Sequence, residues 1–303
     1  MPPSSPVRAT VALITEDRYE HPAPGHWYTD NILEEDRLVT EALAAHGIAT
    51  ERVSWSRAST PWERFDAAVL RTTWDYCDRF AEFSAWLERV STRTRLLNPP
   101  ALVRWNVDKH YLADLRARGV AIVPTVFVER GDPTPLAEQL RTHGLDEAVI
   151  KPAISGAARH TYRVRADTAV DHQPQWAERL REQAMLLQPF QRDVIERGEV
   201  TLAVIDGRVT HALCKVPKPG DFRVQDDHGG SVHPHEPSAQ EVALAERAIA
   251  ACDPAPLYGR VDMVRTADGS PAVMELELVE PELWFRREPP AATRLAAAIA
   301  RLL

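Results

Sequence analysis

Residues 259–279 constrain this chain more than any other stretch. G-R-V-D-M-V-R and P-A-V-M-E-L-E-L-V alternate in polarity on either side of Asp268-Gly269. Period-two alternation marks a strand with one buried face. Asp-Gly between two such runs predicts a hairpin with a two-residue turn, both turn residues at positive φ. Register then follows by counting. Ala267 faces Ser270, and five steps further out Asp262 faces Glu275. Opposed residues share a sheet face, and Glu277, two residues on, shares it too. Three carboxylates are thereby expected within roughly 5–8 Å of one another.

Such a cluster is unfavourable when bare. Two unit charges ~4 Å apart repel by about 4 kcal/mol at an effective dielectric near 20. A divalent cation removes the conflict. All-oxygen donors select a hard ion, and magnesium takes waters and substrate phosphates as its remaining ligands. Asp262, Glu275 and Glu277 are therefore the candidate metal ligands. The plain alternative is a solvated acidic strand face, with Met274, Leu276 and Leu278 burying the other side.

A polyphosphate partner requires locally placed cations, because the chain as a whole is acidic. Lys and Arg number 36 against 44 Asp and Glu, a net charge of -8. That balance, without any basic stripe, argues against nucleic acid as the main partner. Lys151 ends the apolar run Ala148-Val149-Ile150 and enters P-A-I-S-G-A-A-R. Small residues let backbone N–H groups approach phosphate oxygens, and a lysine adds a point charge. A surface hairpin is the alternative reading of this loop. Lys109 stands at an expected helix start, where the macrodipole favours anions over cations. Lys215, Arg223 and Arg260 flank the hairpins, and Arg260 shares the strand face of Asp262. Each of these alone is more often a surface charge than a ligand.

Other chemistries leave no trace. There is no P-loop, dinucleotide fingerprint or Gly-x-Ser-x-Gly elbow. His211, His228, His233 and His235 lack zinc spacing. Cys77, Cys214 and Cys252 are far apart and odd in number, so they read as reduced thiols, Cys214 as filler in a hairpin.

The first hundred residues alternate strand and helix. Strands are expected near 10–15, 51–55, 67–71 and 95–97, with helices at 29–46, stopped by Gly47, and 80–90. This predicts a parallel α/β sheet, with ligands beyond the carboxyl ends of its strands. Arg71, Thr72, Trp74, Asp75 and Tyr76 lie there and are the candidate substrate contacts, Arg71 able to grip a carboxylate with both arms. Asn98-Pro99-Pro100 marks a boundary. A helix capped by Asn106 or Asp108 and ending at Arg118 is expected next, followed by a β-rich piece through Phe190. A second hairpin turns at Asp206-Gly207, a helix covers 239–251, and a last helix starts near Ala291. The expected division is 1–100, 101–187 and 188–303. Residues 1–6 read as a tail rather than a signal peptide, and no run approaches the ~18 apolar residues of a membrane span. A cytoplasmic location is the expectation.

Lys109, Lys151 with its small-residue loop, Gln188-Pro189-Phe190, G-D-F-R and D…E-x-E occur in one order. That order resembles the ATP-grasp superfamily, near glutathione synthetase and the ribosomal-protein glutamate ligases. The likeness covers about 99–281. More narrowly, R-W-N-V-D-K-H-Y-L, G-D-F-R-V-Q and M-E-L-E-L-V-E-P resemble the bacterial group of the cycloserine-forming O-ureido-serine cyclo-ligase, an antibiotic-biosynthesis enzyme. The resemblance implies an ATP-grasp fold of α+β lobes behind an N-terminal parallel α/β pre-ATP-grasp domain. It implies that Lys109 and Lys151 contact the α- and β-phosphates, and that Ser155, Gly156, Ala157 and Arg159 belong to a loop covering the phosphates. Gln188 and Phe190 would line an adenine slot, with Glu196 or Glu199 on the ribose. Arg223 and Arg260, with Lys215 beside them, would stabilise the transferred phosphoryl group. The cofactors implied are ATP and magnesium, as one or two ions, with manganese as a substitute. Where the family commonly has Asn, this chain has Glu277, which leaves the ion count open. The implied reaction is carboxylate–amine ligation through an acyl-phosphate on a small amino-acid-like substrate, with a homodimer as one assembly. Ring closure within one substrate, a non-catalytic nucleotide-binding module and a phosphotransferase stand as alternatives.

Overall fold

The computed structural model describes residues 7–225 and 228–303. The expected tail at 1–6 lies outside the described residues. The chain opens with β1 (Ala9–Thr15), α1 (Trp27–Ala44), β2 (Ile48–Ser54), β3 (Ala67–Thr72), α2 (Phe80–Ser91) and β4 (Arg95–Leu97). The four strands form one parallel sheet in the order β2-β1-β3-β4. Parallel sheets are covered on both faces, which is why Val11, Ala12, Leu13 and Ile14 are all buried in succession.

Next come α3 (Pro100–Asn106) and α4 (Tyr111–Ala117). The helix expected to reach Arg118 is α4, which starts a few residues later than expected, and α3 precedes it unforeseen. Pro100 opens the first, because a fixed φ and a missing N–H suit the first helical turn. Asn106 caps no helix. Its Nδ2 donates to the carbonyl of Leu276 at 2.8 Å and its Oδ1 accepts the N–H of Leu278 at 2.7 Å. It thus completes the ladder of a strand far away in sequence.

A second sheet follows, from β5 (Val126–Val128), α5 (Leu136–Thr142), β6 (Glu147–Pro152), β7 (Tyr162–Arg165), α6 (Gln173–Glu182) and β8 (Met185–Pro189). Its antiparallel order is β5-β8-β6-β7. The last third contributes α7 (Asp193–Glu196), β9 (Glu199–Ile205), β10 (Arg208–Val216), β11 (Ser231–Pro234), α8 (Ala239–Ala250), β12 (Tyr258–Arg265), β13 (Pro271–Glu277) and α9 (Pro289–Leu302). Its antiparallel order is β11-β10-β9-β12-β13. Neither α7 nor β11 was expected. Four residues carry too little periodicity to announce themselves, and β11 owes its form to pairing with β10.

The two hairpins differ. Asp206 and Gly207 have φ of 56° and 71°, and Ile205 pairs with Arg208, the two-residue turn foreseen. At the second hairpin Thr266 N–H donates to Ser270 O at 2.9 Å, so Ala267, Asp268 and Gly269 make a three-residue turn. Only Gly269, at φ 83°, is left-handed there. Asp268 Oδ1 accepts from Thr266 Oγ1 at 2.6 Å and from Ser270 N–H at 3.0 Å, which fixes the wider turn. The register slips by one at the turn and slips back at Met274, a bulge between the pairs Met263–Val273 and Asp262–Glu275. The two displacements cancel, so Asp262 still faces Glu275.

The cores cut across the expected divisions. Leu102, Leu112 and Leu115 share a core with Leu202, Val261 and Leu276 of the last sheet as well as with Leu186 of the small one. Leu295 and Ile299 of α9 pack with Val11, Leu13, Val39 and Leu43 of the first unit. The small sheet has its own core around Leu136, Ile150, Trp176 and Leu187, and β8 crosses the boundary placed at 187. Among the described residues no helix is long and apolar enough to cross a membrane.

Replacing Asn106 by Leu leaves the buried Leu276 carbonyl and Leu278 N–H unpaired. An expected loss of about 2–3 kcal/mol follows, read by urea unfolding. Unfolding at the wild-type urea concentration would show that β13 does not depend on this side chain.

Candidate active site

A cavity of about 240 Å³ opens between the two antiparallel sheets. The large sheet supplies Glu199, Lys215, Arg260, Asp262, Glu275 and Glu277. The small sheet and its loop supply Lys151, Ser155, Gly156, Ala157, Gln188 and Phe190. Lys109 enters from the turn between α3 and α4, and Tyr28, Trp74 and Tyr76 close the side next to the first sheet.

Counting along the hairpin correctly placed the three carboxylates on one face, but cations stand among them. Asp262 is 2% exposed. Its Oδ1 accepts from Thr201 Oγ1 at 2.5 Å and Arg260 Nε at 2.9 Å; its Oδ2 accepts from Lys215 Nζ at 2.9 Å and Arg260 Nη2 at 2.8 Å. Lys215 also pairs with Glu199, and Arg260 with Glu277. Glu275 lies 3.2 Å from Lys109 Nζ and 4.0 Å from Lys151 Nζ.

The electrostatics follow from this interleaving. Burial works to raise Asp262, yet Arg260 and Lys215 hold its carboxyl well below the usual carboxylate range. Burial likewise opposes ionisation of Glu275, but Lys109 and Lys151 keep it lowered. Glu277 is pushed up to about 7 by burial and by the Asp262 and Glu275 charges, against the pull of Arg260. Burial lowers Lys151, and it lifts Glu280 well above the carboxylate norm.

The three expected metal ligands all border the cavity, and they differ in how far cations already engage them. Among the described residues no group of three or more His, Cys, Asp or Glu stands close enough together to hold an ion. Asp262 is fully engaged in positioning Arg260 and Lys215. Glu275 and Glu277, with side chains 28% and 27% exposed, are the oxygen donors open to the cavity. Two carboxylates with phosphates and water suit magnesium, so the donor set fits that ion.

Most of the expected nucleotide contacts meet here. Lys109 Nζ donates to the carbonyl of Ser155 at 2.5 Å, tying the small-residue loop to the lysine. The loop is left-handed at Ala157, Ala158 and His160 (φ 49°, 54° and 49°). Gln188 donates to Thr125 Oγ1 at 2.9 Å, and the Phe190 ring lies 3.9 Å beneath the Arg163 guanidinium. Arg223 borders the cavity, gripped by both oxygens of Asp221. Two residues do not arrive. Arg159 forms an ion pair with Asp78 and is not a cavity wall. Glu196 is exposed on α7, away from the cavity, whereas Glu199 lines it.

The substrate expectation divides. Trp74 and Tyr76 line the cavity; Arg71, Thr72 and Asp75 do not. Arg71 is 3% exposed, its Nε 3.1 Å from Asp36 Oδ1, and its guanidinium lies 5.2 Å from the Phe285 ring centroid. A buried guanidinium needs a carboxylate, and α1 supplies one before any ligand can. Arg71 and Thr72 border only a separate hollow of about 20 Å³. Thr72 Oγ1 bonds Thr15 Oγ1 at 2.5 Å, and Asp75 accepts from Trp55 Nε1 at 2.7 Å. Glu280, Glu282 and Trp284 line the cavity unforeseen. They follow β13, where alternation stops, so no periodicity marks them. Trp74 Nε1 donates to the Glu280 carbonyl at 3.1 Å and pins this segment to the first unit.

Comparison with known proteins points one way. Residues 11–98 match the family described as D-cycloserine synthetase DcsG, N-terminal domain. The cycloserine biosynthesis protein DcsG of Streptomyces lavendulae is 36% identical over 281 residues, 87% of this chain and 92% of that protein. The crystal structure of D-cycloserine synthetase DcsG superposes with a TM-score of 0.83 at 32% identity, covering 97% of this chain and 99% of that one. A RimK domain protein ATP-grasp from Sphaerobacter thermophilus shares the fold, with a TM-score of 0.65 at 22% identity, covering 97% of this chain and 99% of that one.

Lys215→Met leaves Glu199 and Asp262 buried beside each other without their shared cation. Removing one member of a buried charge network costs about 3–5 kcal/mol, an expected loss measurable by urea unfolding. An unchanged midpoint would mean that Arg260 alone neutralises the pair.

Proposed function

The chain belongs to the family of the cycloserine biosynthesis protein DcsG, and from that premise we propose that it is an ATP-dependent ligase joining a carboxylate to a nitrogen through an acyl-phosphate. One observation carries the reading: Lys109, Lys151 and Arg260 converge with Glu275 and Glu277 in a single cavity. Cations suit phosphates, and open carboxylates suit the ion that accompanies them.

Each residue then has a task. Lys109 and Lys151 neutralise phosphate oxygens, and the loop at 155–158 offers backbone N–H groups to them. Gln188 and Phe190 form the slot for the adenine, with Glu199 toward the ribose. Glu275 and Glu277 would hold magnesium, which supplies positive charge to the phosphates when bound. Asp262 keeps Arg260 and Lys215 aimed at the cavity. Arg260, with Arg223, stabilises charge as the γ-phosphoryl group passes to the substrate carboxylate. Positioning and charge neutralisation are what phosphoryl transfer needs from a protein. No enzyme nucleophile takes part. A nitrogen then attacks the acyl carbon, and phosphate leaves.

The relationship to DcsG favours closure of a ring within one substrate over joining of two. ADP release from O-ureido-serine as sole substrate, with a cyclic product, is the expected result. A strict requirement for a second amine would replace ring closure by intermolecular ligation. Glu275→Gln is expected to lower turnover by roughly 10²-fold or more, while the thermal melt stays cooperative. Full activity in that variant would remove Glu275 from the metal site.

A further inference from the structure

Six carboxyl side chains border the cavity: Glu199, Asp262, Glu275, Glu277, Glu280 and Glu282. Five have a cation within 4.0 Å. Lys215 serves Glu199 and Asp262, Lys109 serves Glu275, Arg260 serves Glu277, and Arg286 serves Glu282 at 2.6 Å. Glu280 has no ion pair among the described residues. Arg71, the cation once expected at this end, is held by Asp36 and Glu35 outside the cavity.

The surroundings of Glu280 suit a compact cation. Trp74 bonds its carbonyl, and the Tyr28 ring lies 5.9 Å from that of Trp74. Tyr76 continues the aromatic wall on the same cavity, and Trp284 beyond it already carries the Arg260 guanidinium 5.2 Å from its ring centroid. Aromatic faces attract cations, most strongly when water is excluded. A half-buried carboxyl with no ion pair of its own gains from a cationic ligand, whereas a second anion there would be repelled.

We propose that Glu280 is the specificity-determining residue that receives the α-ammonium group of the substrate whose carboxylate is activated at Arg260 and Arg223. The assignment rests on the ligase reading above.

The test compares O-ureido-serine with its des-amino analogue, 3-(ureidooxy)propionate, in ADP-release assays on wild type and Glu280→Gln. Wild type is expected to prefer the amino form by roughly 10²-fold in kcat/KM, in line with loss of a charge-assisted contact. In Glu280→Gln that preference falls below about 3-fold, chiefly through KM for the amino form, while KM for ATP stays within about 2-fold. Glu280→Asp, which keeps the charge, recovers part of the preference. A purely structural role for Glu280 would weaken both substrates alike. Preference retained in Glu280→Gln overturns the proposal and leaves the ligase reading standing. If wild type releases no ADP with either compound, the ligase reading for this substrate fails. Tryptophan-fluorescence titration with the same two compounds then decides: tighter binding of the amino form by wild type alone supports Glu280, and equal binding by both proteins overturns it.

Discussion

The floor of the cavity depends on alternating charge. Asp262 accepts four hydrogen bonds from Thr201, Lys215 and Arg260. Lys215 reaches on to Glu199, and Arg260 to Glu277. A carboxylate as buried as Asp262 is tolerable only when cations repay its lost hydration. The same cations point at the space where phosphates would lie. Stability of the floor and polarity of the cavity are therefore one arrangement.

That arrangement is held by parts of the chain far apart in sequence. Asn98 Nδ2 donates to the carbonyls of Tyr258 and Leu278, and Asn106 completes the ladder at Leu276 and Leu278. Glu35 of α1 accepts the N–H groups of Phe285 and Arg286. The segment carrying Glu280, Glu282 and Trp284 is thus fastened at both ends, by Asn98 and Asn106 behind it and by α1 ahead of it. Backbone polar groups outside a sheet ladder need partners, and buried Asn and Glu side chains supply them here. The wall of the cavity inherits its rigidity from these bonds.

Short-range pattern was legible where it repeats. Alternation marked the long strands of the last sheet, unbroken apolar runs marked strands such as β1 and β6, and Asp206-Gly207 gave its turn type correctly. The Asp268 hairpin was read with the wrong turn, yet Asp262 and Glu275 still met, because the Met274 bulge restores the slip. Counting residues could not see either displacement, since polarity marks neither the wider turn that Asp268 fixes nor the bulge. Lys109, Lys151, Gln188 and Phe190 were found through their order along the chain. Arg71, Thr72, Asp75, Arg159 and Glu196, the last the alternative to Glu199, lie off the cavity wall, each through a competing partner or an exposure that no linear motif contains.

The sequence by itself determined the strand faces, the acidic hairpin, the lysines beside small residues and the family likeness, because each rests on neighbours within a few positions. Tertiary structure alone decided which charges were already neutralised. It gave Arg71 to Asp36 and Asp262 to Arg260 and Lys215, and it left Glu280 without a counter-ion at an aromatic wall. Pairing of buried charges is a competition in three dimensions, settled by distance and desolvation, and a chain written in one dimension records the competitors without the outcome.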